Sequence, residues 1–242
     1  MPDSLASSTS VATPRPRSTA TRKTTKTPKK NQQGQVLGPK GQQTRERLIK
    51  AVEQLLQTKP LRDLRQADIC RTAKVSPPAF YVYFPDIESL VLEAVARNQV
   101  LPAELELLMQ ENWEEPEIFD KARRFVCLYL EFWSQHYHLL KMRNLASDEG
   151  DTRMIKLRLS FQVPIMEQLA AKIAAGQART GDRSLKPVAG ASVVIASLER
   201  LAPTVRFAFD NYARQDMTND DLIDAEAWIL TRMIGGAVKT SR

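Results

Sequence analysis

Two phenols set two residues apart, Tyr81 and Tyr83, are the side chains of this sequence best placed for contact chemistry. They lie in the run Val75-Ser76-Pro77-Pro78-Ala79-Phe80-Tyr81-Val82-Tyr83-Phe84. A tyrosine hydroxyl can donate to a phosphate oxygen while its ring packs on the neighbouring sugar, and a helix N-terminus adds attraction for the same anion. Ser76 suits the N-cap of such a helix, and Pro77 suits its first turn, where a missing N–H costs nothing. The geometry requires Val75, Phe80 and Phe84 to turn inward, leaving Pro77, Pro78, Tyr81 and Tyr83 outside. The alternation of aromatic and apolar residues leaves a second reading open, in which both tyrosines are core residues of a buried helix.

Other chemistry finds little support. There is no Ser/His/Asp or Cys/His arrangement, no glycine loop that could cradle a phosphate, and no poised carboxylate pair, so neither an enzyme nor a cofactor is expected. Cys70 and Cys127 are too few and too distant for a disulfide framework or a metal site. His136 and His138 straddle Tyr137 and fall on different helix faces. Asp148, Glu149 and Asp151 cluster near Gly150 without the ligand register of a calcium loop.

The elements that position the tyrosines follow from helical periodicity. Residues 1–39 are rich in Ser, Thr, Pro and Lys and poor in large apolar side chains, so they read as disordered. From Thr44, apolar residues Leu48, Val52, Leu55 and Leu56 fall at helical spacing to about Gln57. Gln66–Ala73 makes a short second helix with Ile69 and Cys70 inward. The tyrosine-bearing segment is the third. Asp86 caps a fourth, which runs to about Asn98 and past Pro102 only with a kink. Further helices cover Glu117–Gln135, His138–Ala146, Thr152–Ala178, Lys186–Arg214 and Asp220–Lys239. No strand alternation or internal repeat is evident, and the fold class is all-α. The expected domains are a basic arm (1–43), a domain of four short helices (44–95) and a second helical domain (96–242).

The second and third helices have the make-up of a helix-turn-helix: a bracing helix, a turn with one apolar anchor, and a second helix whose start reaches the major groove. The run Asp68–Leu90 resembles the signature of TetR-type repressors, with an Ile-Ala helix, a Val-Ser turn, a short helix closing on Tyr-x-Tyr-Phe, and an acidic-capped helix with Leu. With the preceding helix the resemblance covers residues 44 to about 95. It implies that Tyr81 and Tyr83 contact phosphates, that Ser76, Pro77 and Pro78 approach base edges, and that Arg45, Arg65 and Gln66 meet the backbone or bases. Three positions depart from the pattern. Lys74 occupies a turn site that usually holds Gly, so the backbone there either avoids positive φ or carries strain. Arg65 replaces a capping Thr, and Ile87 replaces a common Lys.

Beyond residue 96 the resemblance is one of kind. Apolar positions Val188, Ser192, Ile195, Leu198, Leu201 and Val205, with Leu222, Ala225, Ile229, Met233 and Gly236, could form a four-helix interface with a second copy or pack within the chain. The family resemblance favours a homodimer, and two-fold symmetry suits a palindromic DNA operator. Phe132, Trp133, His136, Arg143, Phe161 and Met166 are the candidate lining of a pocket for a small, lipophilic effector, although each is individually an ordinary core residue. A regulator without a ligand, or a helical carrier or enzyme with accidental resemblance, are the rival readings.

Of the 35 basic and 28 acidic side chains, eight basic ones and a single acid lie in residues 1–43, so the rest carries equal numbers of each sign. Such an arm suits a polyanion such as DNA, or simply keeps the chain in solution. No run approaches the roughly 18 continuous apolar residues of a membrane span, and no apolar leader is present. The expected setting is cytoplasmic and nucleoid-associated.

Overall fold

The structure, a computed structural model, describes residues 31–207 and 217–235. Most of the basic arm (1–30), the far ends of the last two expected helices and Gly236 lie outside the described residues. The described residues form α-helices with no strand beyond an isolated bridge at Val36. Helices α1 (Pro39–Leu56), α2 (Gln66–Ala73), α3 (Pro77–Tyr83) and α4 (Ile87–Arg97) make a head, with a 3-10 turn at Leu61–Asp63 between α1 and α2. The body contains α5 (Ala103–Gln110), α6 (Ile118–Gln135), α7 (Tyr137–Asp148), α8 (Thr152–Thr180), α9 (Pro187–Phe207) and α10 (Asn219–Met233).

Most boundaries fall within two residues of the periodicity reading, and two differ in a way that matters. Helix α1 starts at Pro39, five residues before Thr44, because Pro39 takes the first helical position and Gly38 the extended N-cap. The fourth helix stops at Arg97, and α5 is a separate helix, since Pro102 supplies the N-cap of α5 rather than a kink within α4.

Each part has its own core. In the head, Leu48, Ile49, Val52, Ile69, Phe80, Phe84, Leu90 and Val91 are buried together. That cluster also takes in Leu139 and Met142 of α7 and Met154 of α8, so the body inserts three side chains into the head. Movement of α7 or α8 therefore cannot leave the head undisturbed, because close-packed interiors transmit displacement. The body core is built around Phe125, Tyr129, Phe132 and Trp133 of α6, Phe161 and Leu169 of α8, and Val194 and Leu198 of α9.

The segment Pro187–Val205 of α9 is long and apolar enough to cross a membrane by length and composition, although Glu199 and Arg200 interrupt it and it holds no continuous apolar run of that length. Its inner face is a core face: Ala191, Val194, Ile195 and Leu198 are buried, and so is Glu199. Hence Ile195 and Leu198, placed above with a possible partner-facing set, belong to the intrachain core. Among the described residues, the large apolar side chains exposed on the last two helices are Val188 and Val193 of α9 and Trp228 and Ile229 of α10.

Helix α10 starts with a capping box between Thr218 and Asp221. On its inner face the buried Glu226 accepts a hydrogen bond from the Ser197 hydroxyl at 2.6 Å. Burial raises the Glu226 carboxyl above its ordinary value of 4.5, partly offset by the serine bond. A group harder to ionise in the folded chain contributes its full stability below the unfolded value and loses it as pH rises through the folded one. Glu226→Gln is expected to melt above the parent at about pH 8, with the gap closing toward about pH 5. Thermal melts across that range check it, and a gap that does not change with pH would place the carboxylate in water.

Candidate nucleic-acid interface

The turn between α2 and α3 is fixed by backbone geometry. Lys74 is left-handed, at φ 55° and ψ 50°. Its N–H bonds to the Arg71 carbonyl at 3.2 Å, and the Val75 N–H bonds to the Cys70 carbonyl at 2.9 Å, the paired bonds of a Schellman turn. The open alternative at this position is thereby decided: a lysine occupies a conformation that costs a residue with a Cβ about 1–2 kcal/mol. The two turn bonds satisfy carbonyls at the end of α2 and hold the sharp reversal in place.

Phe80 and Phe84 are buried, and the half-buried Val75 packs against them. Their packing turns the start of α3 outward. Ser76, Pro77 and Pro78 are exposed, and the Ser76 side chain makes no capping bond, because prolines at the first two helical positions leave few N–H groups to cap. Tyr81 is 53% exposed and Tyr83 half-buried against the head core. The Tyr81 hydroxyl donates to Gln66 Oε1 at 2.9 Å, and Gln66 Nε2 donates to the Pro77 carbonyl at 3.3 Å. This chain of bonds ties the start of α2 to α3. Arg65, at the N-cap of α2, is exposed on the same side and makes no capping bond.

Arg45 is the exception among the expected contact residues. It forms a two-pronged ion pair with Glu93 of α4, and its guanidinium lies 4.8 Å from the centre of the Phe84 ring. Only 13% of its side chain is exposed. Arg45 thus braces α1 against α4 behind the interface instead of reaching outward. Local periodicity could not show this pairing, because the partner carboxylate lies 48 residues away.

One contribution escaped the sequence reading. Residues 31–38, assigned there to the arm, fold against the end of α3. The Gln32 N–H bonds to the Val82 carbonyl at 3.0 Å, and Gln32 Nε2 bonds to the Tyr83 carbonyl at 3.1 Å. Those two carbonyls are among the four that every helix leaves open at its C-terminus. Asn31 closes the turn by accepting from Gln33 and Gln35, and Leu37 is buried. The available signal was Asn31 ahead of Gly34, with Val36 and Leu37 in an otherwise apolar-poor stretch.

Two family models match the chain in tandem. Residues 48–94 match the model described as bacterial regulatory proteins of the tetR family, and residues 105–223 match the tetracyclin repressor-like C-terminal domain. The chain belongs to the TetR family. Membership makes it a DNA-binding transcriptional regulator, in a family of regulators and not of enzymes.

Solved structures share the TetR fold at low identity. A putative TetR-family regulator from Syntrophomonas wolfei is 13% identical, with a TM-score of 0.56 over 83% of this chain and 99% of its own. A TetR-family regulator from Streptomyces coelicolor is 17% identical, with a TM-score of 0.59 over 81% of this chain and 82% of its own. The regulator FadR from Bacillus subtilis, solved in complex with stearoyl-CoA, is 12% identical, with a TM-score of 0.55 over 80% of this chain and 99% of its own. No curated protein matches the sequence.

The candidate effector residues of this TetR-family chain divide. Phe132 and Phe161 stack at 5.1 Å, and His136 lies 5.0 Å from Phe132. Burial lowers the His136 imidazole below its ordinary value, opposed by the charge of Glu53. Arg143 is completely buried, 5.7 Å from the Phe161 ring, and pairs with Glu199 of α9 at 2.8 Å. Trp133 is buried beside them on α6. Met166 stands apart on another stripe of α8, where its sulfur accepts from Ser192 at 2.9 Å.

Arg143 Nη1 has no hydrogen-bond partner in this region, while the Tyr129 hydroxyl and Trp133 Nε1 have only each other, in a bond of poor geometry. Tyr129 is close enough to Glu199 and to Arg143 to feel their charges, and burial pushes its phenol far above the usual range. Sequence reasoning missed Tyr129 and Glu199, since neither stands out from the pattern of its own helix.

Proposed function

We propose that this TetR-family regulator binds a palindromic operator as a homodimer and acts as a repressor released by a small lipophilic effector. Operator contact rests on the outward start of α3. Ser76, Pro77 and Pro78 meet base edges, Tyr81 and Tyr83 meet phosphates, and Arg65 and Gln66 meet the backbone from α2. The carrying observation is the burial of Phe80 and Phe84, which turns Tyr81 to solvent on a helix already tied to α2. Arg45 is left out of that set. The arm, residues 1–30, adds sequence-independent attraction to phosphates through its cations.

Dimerisation is supported by Val188, Val193, Trp228 and Ile229, four large apolar side chains exposed on two adjacent helices. Effector binding is supported by the stacked Phe132 and Phe161 beside the buried Arg143, whose Nη1 has no hydrogen-bond partner. Such groups are costly unless something satisfies them, and a polar end on a lipophilic ligand would do so. A ligand bound among α6, α7 and α8 would shift the head through Leu139, Met142 and Met154. The FadR structure in complex with stearoyl-CoA is a precedent for a ligand with a long apolar chain in this fold.

The test begins by selecting bound fragments from genomic DNA with the purified protein. Fluorescence anisotropy on the selected site should then show binding at least about tenfold weaker for Tyr81→Phe/Tyr83→Phe than for the parent, given the strength of hydrogen bonds to charged groups. Unchanged affinity would remove the phenols from the interface and leave the arm as a sequence-blind contact.

A further inference from the structure

A wide groove lies where the head meets the body, and none of the aromatic effector candidates lines it. Its volume is about 890 Å³, within the range of small-molecule sites. The head contributes the end of α1 and the following residues through Arg62, and the body contributes one side of α7 and the far part of α9. Leu56, Tyr137 and Met142 form a buried apolar floor, and Leu61, Leu145 and Pro203 extend it toward solvent.

The polar lining carries one dominant sign. Lys59 and Arg62 reach it from the head, and Lys141 and Arg200 from the body, whereas Glu149 is the acidic residue in the lining. Lys59 pairs with Asp68 of α2 at 3.0 Å, and Lys141 sits 5.5 Å from the Tyr137 ring. Arg62, Lys141 and Arg200 are exposed. An apolar floor under an excess of cations is complementary to a molecule with an apolar body and one negative end.

We propose that this groove is a binding site for amphipathic organic anions, such as a medium-chain carboxylate. The apolar chain lies on Leu56, Tyr137, Met142 and Leu145, and the carboxylate is held between Arg62 of the head and Lys141 of the body. Each cation would be desolvated only in part, so its attraction for a carboxylate exceeds that of a fully exposed pair. The site does not depend on the operator reading, because it is defined by residues away from α3.

Decanoate titrated calorimetrically into the DNA-free protein should bind saturably, and decanol at least about tenfold more weakly. Arg62→Glu/Lys141→Glu should weaken decanoate by at least about tenfold, and Arg62→Gln/Lys141→Gln by less. Leu145→Gln should weaken decanoate and decanol alike. Matched melting temperatures establish that the variants fold. Absence of saturable decanoate binding would overturn the proposal, as would decanol binding as tightly as decanoate. Decanoate affinity indifferent to the charge reversal would overturn it too, placing the ligand in the aromatic core instead.

Discussion

Glu199→Ala is expected to destabilise the protein by about 3–5 kcal/mol, the cost of stripping a buried charge of its partner. Glu199 has 3% of its side chain exposed and is shared by two guanidinium groups. Arg143 of α7 donates to Oε1 at 2.8 Å, and Arg158 of α8 donates through Nε to Oε2 at 2.9 Å. Arg158 keeps a second acceptor in the exposed Asp148 at 3.0 Å, so it could turn outward when Glu199 is lost. Arg143 has no such route. Its side chain is wholly buried, and Asn144 offers it only a neutral carbonyl. Burial already lowers its hold on the proton, in opposition to Glu199.

The loss would be a large share of the roughly 5–15 kcal/mol that holds a domain together. Glu199→Gln, which keeps one acceptor and the shape, should lose less. Removing the charges together, as Arg143→Met/Glu199→Leu, should recover much of the deficit, because a buried pair seldom exceeds a well-packed apolar replacement in stability. Urea denaturation of these three variants decides the matter. An alanine variant within about 1 kcal/mol of the parent would mean that water reaches Arg143.

Gly176→Ala is expected to be the second severe lesion. Gly176 lies inside α8, and the carbonyl of Ile234, just past the end of α10, rests directly on it. A Cβ placed there would lie 1.7 Å from that carbonyl oxygen and 2.5 Å from its carbon. The obstruction is backbone, so no rotamer change relieves it, and α8 and α10 must separate. Overpacking a core commonly costs about 1–3 kcal/mol, and a clash with main chain should fall at or beyond the upper end.

Because α10 carries Trp228 and Ile229, displacement of its end should also weaken self-association. For the proposed homodimer, sedimentation velocity should show a shift toward monomer relative to the parent, together with a lower melting temperature. A variant that melts and sediments like the parent would show that the two helices are less closely apposed than the structure has them. Gly190→Ala is a useful contrast, since its added Cβ would meet chiefly the flexible ends of Leu185 and Ile173, at 2.7 and 3.3 Å.

The sequence by itself determined the helical class and the positions of most helices, and it favoured the inward turn of Phe80 and Phe84 without excluding a wholly buried helix. These depend on relationships within one or two turns of chain: apolar spacing, caps and prolines. Val75, Phe80 and Phe84 could be assigned to one face because a short helix leaves few alternatives. The stack of Phe132 on Phe161 was legible in part, as two aromatics on segments already read as helical.

Only the tertiary structure decided which polar groups are used up. Arg45 looked available until Glu93 closed on it, and Glu199 looked like an ordinary helix acid until α7 and α8 brought two arginines to it. The same holds for the separation of Ile195 and Leu198 from Val188 and Val193, and for the groove that joins residues 56–62 to α7 and α9. Charge pairing and cavity shape arise between segments distant in sequence, where local periodicity carries no information. Their energies depend on burial, which exists only once the helices have packed.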